Sequence, residues 1–270
     1  MPEQPVLHVQ RVGEDATAAG TGDVVLLHGL FGQGRNFTQV AKALQPELRS
    51  TLVDLPNHGR SAWTSSVDYV LVADTVAAWL RDDLAARGVE RTHLVGHSMG
   101  GKVAMVLATR HPELVDRLVV VDISPAASGG LGEFEHLLDS LAGLDLDALE
   151  SRGQADELLA GPIADERVRG FLLQNLRVRD GRFVWQANLA LLRAQLDVIG
   201  GFPTLDPGFT GPVLWMAGER SPYVQPEHAP EMRRLFPRTT TVTVKGAGHW
   251  VHSEAPDAFV SILRHFLLAG

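Results

Sequence analysis

The stretch "THLVGHSMGGKVAMVLATRHP" (92–112) decides how this chain is read. It opens on an apolar run, turns through Gly96-His97-Ser98-Met99-Gly100, and continues as the helix-forming "KVAMVLAT" until Pro112 closes it. A serine on so tight a strand-to-helix turn sits in a strained backbone conformation, so the residues two before and two after it must be very small. Gly96 and Gly100 meet that demand. Glycine is common here, 27 of 270 residues, so the five-residue pattern alone is weak evidence. Its strand–turn–helix setting makes it strong. The turn aims a hydroxyl out of the carboxyl edge of a sheet, which makes Ser98 the candidate nucleophile rather than a serine that merely opens a helix.

Working outward, short apolar runs with turn signals recur at "DVVLLHG" (23–29), "STLVDLPNHG" (50–59), "RLVVVDISP" (117–125), "PVLWMAGE" (212–219) and "TTTVTVKGAGH" (239–249). The central runs lack polar-out alternation, as expected of parallel strands covered on both faces. Helical patterns lie between them, at "NFTQVAKALQ" (36–45) and at "VADTVAAWLRDDLAARG" (72–88), the latter stopping at Gly88. Strand, helix, strand alternation predicts an α/β fold with a doubly wound, mostly parallel sheet. The rhythm breaks over 126–205. "SGGLG" opens a segment with helix-like stretches at 133–142, 145–160, 165–177 and 185–199, a turn signal at "RDGRF", and no convincing strand. The chain therefore divides into a core, 1–125 with 206–270, and a helical cap, 126–205.

Bulk properties narrow the class of protein. Hydrophobic residues make up 45% and charged residues 21%, ordinary for a soluble globular enzyme. A net charge of −8, without blocks of like charge, argues against nucleic acid and anionic membrane as partners. The absence of cysteine excludes disulfides, a thiol nucleophile and thiolate metal sites. The polar N-terminal stretch has no apolar leader and no run is long enough to span a membrane, so a cytoplasmic setting is expected.

A serine nucleophile needs a base, an acid and oxyanion donors. Among eleven histidines, His249 in "GAGHW" follows the last strand and hangs over the same sheet edge, which suits a chain order of serine first and histidine last. His28 reads as a brace for its loop, His58 as a turn histidine, His97 as pointing away from the site, and His252 as lying at a helix start or on the surface. The oxyanion donors are the amide of Met99, at the new helix N-terminus, and the amide of Leu30 or Phe31 in the glycine-rich "HGLFGQG" (28–34). The acid is the difficult assignment. The loop after "LWMAG" is a usual place for it, yet "ERSPYV" offers Glu219 and Ser221 and no aspartate. Asp122 ends the apolar "LVVVD", and a carboxylate at the end of such a run needs a partner. Asp122 is the leading candidate, with Glu219, Asp54 and Asp206 as alternatives; Asp54 reads better as a buttress beside the oxyanion loop.

Taken together, "HGLFG", "DLPNHGRS", "GHSMGGK", "VDISP" and "AGHW" resemble the α/β-hydrolase fold, and more narrowly its YbfF-type esterase subgroup, which also has mitochondrial relatives in animals. The match runs from about Val24 to the C-terminus and is weakest across 126–205. The resemblance implies an eight-stranded sheet, a helical cap after the sixth strand, an acid carried in the D-I-S-P motif, and hydrolysis of short-chain esters by a serine-histidine-acid triad with no cofactor or metal. The expected partner is a small-molecule ester or thioester. Thioesterase, carbon–carbon bond hydrolase, perhydrolase and menaquinone-pathway lyase chemistry use similar constellations and remain alternatives, as does a ligand receptor on the same fold. Trp185 and Asn188, three apart in "GRFVWQANLALL", are candidates to line the acyl site if helical, or else to pack the cap core; Tyr223, Trp250 and Phe31 are further wall candidates. Oligomeric state has no signature in the sequence.

Overall fold

The computed structural model describes residues 5–13, 22–206 and 208–269; most of the polar N-terminal stretch lies outside them. The described strands are β1 (Val9–Val12), β2 (Gly22–Leu27), β3 (Leu48–Val53), β4 (Thr92–His97), β5 (Val115–Val121), β6 (Leu176–Arg179), β7 (Arg182–Trp185), β8 (Val213–Gly218) and β9 (Thr239–Val244). Seven of them form one sheet in the order β1-β3-β2-β4-β5-β8-β9, with β1 antiparallel and the rest parallel. The central strands are buried along nearly their whole length, and buried side chains form one apolar cluster on each sheet face. Burial on both faces is why their sequences read as continuous apolar runs.

Strand order fixes where chemistry can happen. From β2 the chain crosses to β3 on one side, and β4 starts the progression to β5, β8 and β9 on the other. The direction of winding thus reverses between β2 and β4, where loops leaving the carboxyl ends diverge and leave a crevice. The glycine-rich loop follows β2 and Ser98 follows β4, so both stand at that crevice.

Two expectations are corrected. The sheet has seven described strands, not eight. Residues ahead of β1 pair with the loop after β3 instead of adding a strand: His8 C=O accepts from Asp54 N, Val6 C=O accepts from Ala62 N, and His8 N donates to Ser61 Oγ. Residues 126–205 accordingly follow the fifth described strand, where a sixth was expected. They supply no strand to the main sheet, but they are not wholly helical. Leu176–Arg179 and Arg182–Trp185 pair as a hairpin through Asp180 and Gly181, both at positive φ (50° and 76°). An Asp-Gly pair is the signal for such a two-residue turn. The first helix, Gly132–Ala142, covers the stretch expected at 133–142; the others are shorter than expected, at Arg152–Leu159, Glu166–Leu172, Leu189–Ala194 and Leu196–Gly200. Asp145 takes up the amide of Asp147 and Ser151 caps the next helix, so 145–151 is turn rather than helix. No helix among the described residues is long and apolar enough to cross a membrane.

The segment is tied down by a buried lysine. Lys102 Nζ, on the helix Met99–Arg110, donates to the carbonyls of Gly200 (2.6 Å) and Gly201 (2.8 Å) and to Ser128 Oγ (3.2 Å). Tyr69 Oη donates to Ile199 C=O (2.7 Å) beside it. Both ends of the segment are thereby anchored to the helices behind Ser98, and desolvation pushes the Lys102 ammonium down to about 8.

Imidazoles brace the loops over the carboxyl edge. His28 accepts from Leu55 N (2.9 Å) and donates to Gly29 C=O (2.8 Å); His58 donates to Pro56 C=O (3.1 Å); His97 donates to the carbonyl of His249 (2.8 Å). The His252 ring lies against those of Phe37 and His97. Burial pushes His28 and His252 down to about 4, His58 to about 3, and His97 well below its ordinary value. Each therefore stays neutral in the fold at a pH where the unfolded chain, near 6.5, is already taking up protons.

Two outcomes follow from these contacts. A Cβ at Gly100 would stand 2.4 Å from His28 O and 2.5 Å from Leu27 O, both backbone. Gly100→Ala should therefore lower stability by about 1–3 kcal/mol in urea unfolding, against the gain of about 1 kcal/mol that alanine brings to an open helix position; a stabilised variant would contradict this packing. For the histidines, the depressed folded values mean stability is fully present above about pH 6.5 and is lost as pH falls toward about 4. Urea midpoints should drop steadily from about pH 7 to about pH 5, above the range where carboxylates protonate; a flat profile there would be inconsistent with four neutral imidazoles.

Candidate active site

Ser98 sits at φ 53°, ψ −121°, a conformation an L-residue adopts only under constraint. The constraint comes from close backbone approach. A Cβ at Gly96 would be 2.3 Å from Gly100 O, so helix and strand pack too tightly for any side chain at either position. Ser98 N donates to Val121 C=O (3.0 Å), fixing the turn against the end of β5.

Asp122 follows directly, also at positive φ (52°) and with 0% of its surface exposed. Its amide donates to Met216 C=O (2.8 Å), and Trp215 Nε1 donates to Ile123 C=O (2.7 Å), which pins the chain leaving β5 to β8. Its carboxylate collects three donors. Gly218 N reaches Oδ1 (2.9 Å), while the Ser221 hydroxyl and His249 Nδ1 (2.7 Å) both reach Oδ2. A carboxylate acceptor at Nδ1 fixes the tautomer, leaving Nε2 unprotonated to accept from Ser98 Oγ (3.0 Å). The structure thus brings Ser98, His249 and Asp122 into one hydrogen-bonded chain.

The alternative carboxylates lie elsewhere. Asp206 is exposed ahead of β8; Glu219, also exposed, accepts from Gly246 N (2.8 Å), and Glu254, not among those alternatives, accepts from Gly248 N (2.9 Å) and Trp250 N (3.2 Å). The two glutamates steady the loop that carries His249 without touching its ring. Asp54 accepts from Gly34 N (2.7 Å) and Arg60 N (2.9 Å), holding the end of the glycine-rich loop. His97, expected to point away, instead packs its ring 4.8 Å from that of His249, because its bond to the His249 carbonyl draws it under that ring.

Of the residues expected to donate to an oxyanion, Leu30 and Phe31 lie beside Ser98 and Met99 follows it in the chain. Leu30 and Phe31 share the crevice wall with Ser98, Phe31 at φ 62°, and Met99 is the first residue of its helix, where an amide has no partner within the helix. Asn175 helps set the loop: its Nδ2 donates to Phe31 C=O (2.8 Å), and its Oδ1 accepts from Gln33 Nε2 (2.9 Å).

The crevice beside Ser98 is small, about 20 Å³, and is walled by Leu30, Phe31, Phe134, Phe171 and Trp250. It adjoins a wide groove of about 1630 Å³ with which it shares Asn36, Phe171, Trp250 and His252. The Tyr223 ring lies 4.4 Å from the His249 ring, tilted by 47° to it. Trp185 and Asn188 do not line this crevice. Trp185 ends β7, and Asn188 caps the following helix and donates to Asn57 Oδ1 (3.2 Å), so the pair does not share a helix face. Phe134, Phe171 and Ser221 went unmarked as site residues in the sequence. Only Ser221 had a signal, as the hydroxyl standing where an acid was sought. Among the described residues, no three His, Asp or Glu side chains are grouped to hold a metal ion.

Known proteins resemble this chain along nearly all its length. A family model described as the α/β hydrolase fold matches residues 23–256. The mouse sn-1-specific diacylglycerol lipase ABHD11 is 39% identical over 250 residues, covering 90% of this chain and 80% of that protein. The Escherichia coli esterase YbfF is 31% identical over 244 residues, covering 90% and 92%. Among solved structures, a marine microorganism esterase superposes with a TM-score of 0.88 at 29% identity, covering 97% of this chain and 99% of that one. With the sheet order, the glycine-flanked Ser98 and these matches in agreement, the chain belongs to the α/β-hydrolase fold family, alongside the YbfF-type esterases.

Proposed function

We propose that the protein is a serine carboxylesterase acting on esters of small acyl groups through an acyl-enzyme. One observation carries the reading: the continuous chain of hydrogen bonds from Asp122 through His249 to Ser98, standing at the crevice where the sheet reverses direction. Ser98 Oγ attacks the ester carbonyl carbon as its proton passes to His249 Nε2. Asp122 keeps the imidazole oriented and stabilises the imidazolium. The amides of Met99 and of Leu30 or Phe31 donate to the oxygen that takes up negative charge. Collapse of the tetrahedral adduct breaks the bond to the leaving alcohol, which takes the proton from His249. Water then adds to the acyl carbon with His249 again as base, and the acid departs as Ser98 recovers its proton.

Residues 126–205 act as the cap in this reading, since Phe134 and Phe171 close the crevice from that side. Little space beside Ser98 favours a short acyl group, with the alcohol portion directed into the adjoining groove. The same site accepts a thioester without rearrangement of its groups.

Labelling with a fluorophosphonate probe should modify the parent protein and leave Ser98→Ala untouched, and p-nitrophenyl ester turnover should fall by about 10³-fold or more in that variant. Across a chain-length series the parent should turn over acetate and butyrate about tenfold faster than decanoate, since longer chains must displace aromatic side chains. Labelling that persists in Ser98→Ala would remove the nucleophile assignment. A preference for decanoate would remove the small-acyl assignment alone.

A further inference from the structure

Four guanidinium groups lie within electrostatic reach of one another where the core meets residues 126–205, Arg177 half-buried and Arg35, Arg60 and Arg152 exposed. Arg35 and Arg60 belong to the core, and Arg152 and Arg177 to the segment 126–205. Arg35, Arg60 and Arg177 line a recess of about 120 Å³, with Gln33, Gln186 and the carboxylate of Asp54 in the same wall. That volume is several times the roughly 30 Å³ that one liquid water occupies. Like charge dominates this corner. Arg35 is pushed down from its ordinary value by desolvation first, then by Arg152, with Asp54 opposing and Arg60 adding to the effect. Arg177 is pushed down by desolvation and by Arg35, Arg152 and Arg60, with no carboxylate opposing them.

Among the described residues none of the four has an ion-pair partner, whereas Arg87, Arg110, Arg193 and Arg234 each do. Their contacts are with neutral acceptors: Arg35 donates to Gln174 C=O (2.9 Å), Arg152 to Leu176 C=O (2.6 Å), and Arg177 to Gln186 Oε1 (3.0 Å). Most of the five N–H donors on each group are left over. The nearby Asp54 carboxylate is already held at both oxygens by backbone amides. Four gathered cations are conspicuous in a chain of net charge −8, and their mutual repulsion works against the fold unless an anion joins them.

We propose that this recess binds a phosphate group, free or carried on a small phosphomonoester, and that the bound anion clasps residues 126–205 to the core. A dianion offset by several guanidiniums suits the site better than a single carboxylate, because it brings greater charge and three terminal oxygens to forks arriving from different segments. Arg35 donates across the seam already, and Gln33 and Arg35 share their loop with Leu30 and Phe31. Occupancy therefore bears on the loop beside the nucleophile, whatever bond the enzyme cleaves.

The test is calorimetric titration of the full chain with inorganic phosphate, and separately with phenyl phosphate, at an ionic strength held constant with sodium chloride. Saturable binding is expected, with Arg35→Gln and Arg177→Gln each weakening it by about tenfold or more. Tighter binding of phenyl phosphate assigns a phosphomonoester, and tighter binding of inorganic phosphate assigns the free ion. Without anion, each variant should melt no lower than the parent, since it relieves repulsion; arginines that serve only as structure would show the opposite. The proposal fails if neither anion binds, if sodium chloride reproduces the effect, or if Arg234→Gln, outside the recess, where the guanidinium pairs with Glu231 and donates to Leu205 C=O, weakens binding equally.

Discussion

The carboxylate of Asp122 is the constraint on which the rest of the site depends. It is wholly buried at the end of a strand of valines, where an unpaired charge would be costly, and three donors converge on it from other parts of the chain. Gly218 N comes from the end of β8, the Ser221 hydroxyl from the loop beyond it, and the imidazole from the loop after β9. One buried charge thus draws together the carboxyl ends of three neighbouring strands. The backbone at Asp122 is strained to present it, as it is at Ser98, and the two strained residues follow adjacent parallel strands. Strain at both is held by neighbours that cannot move: glycines in backbone contact on one side, and the hydrogen bonds to Met216 and from Trp215 on the other.

This arrangement explains the missing aspartate in "GERSPYV". In the proposed mechanism the acid sits one strand earlier, and the loop after β8 supplies a hydroxyl that steadies it. Ser221 is then a positioning residue acting through Asp122, and Glu219 is free to brace the loop bearing the base. The histidines extend the same scheme. His97 lies beneath the His249 peptide and His28 ties the glycine-rich loop to the chain after β3, so neutral imidazoles serve as scaffold around the one that contacts the serine.

Much of this was legible in the sequence because the relevant signals are local. Gly96 and Gly100 flank a serine between an apolar run and a helix, and apolar runs mark every parallel strand, so the sheet and the candidate nucleophile could be read directly. What could not be read depends on distance. The strand count came from resemblance, and residues 5–8 pair with a loop some fifty positions away, which no local pattern announces. In 126–205 the apolar residues also fit a helical period, and only the Asp-Gly turn betrays the hairpin that carries Trp185 out of any helix. Phe134 and Phe171 became wall residues through packing between segments, as Arg35 and Arg177 became neighbours across the seam.

The central claim is that the acid is Asp122. Its most direct test is the kcat of Asp122→Asn on a p-nitrophenyl ester, measured beside Glu219→Gln with folding verified for both. An amide in place of the carboxylate leaves the geometry but favours the wrong imidazole tautomer, so kcat should fall by about 10³- to 10⁴-fold while Glu219→Gln stays near the parent. Near-parent turnover in Asp122→Asn, with collapse in Glu219→Gln, would contradict the account.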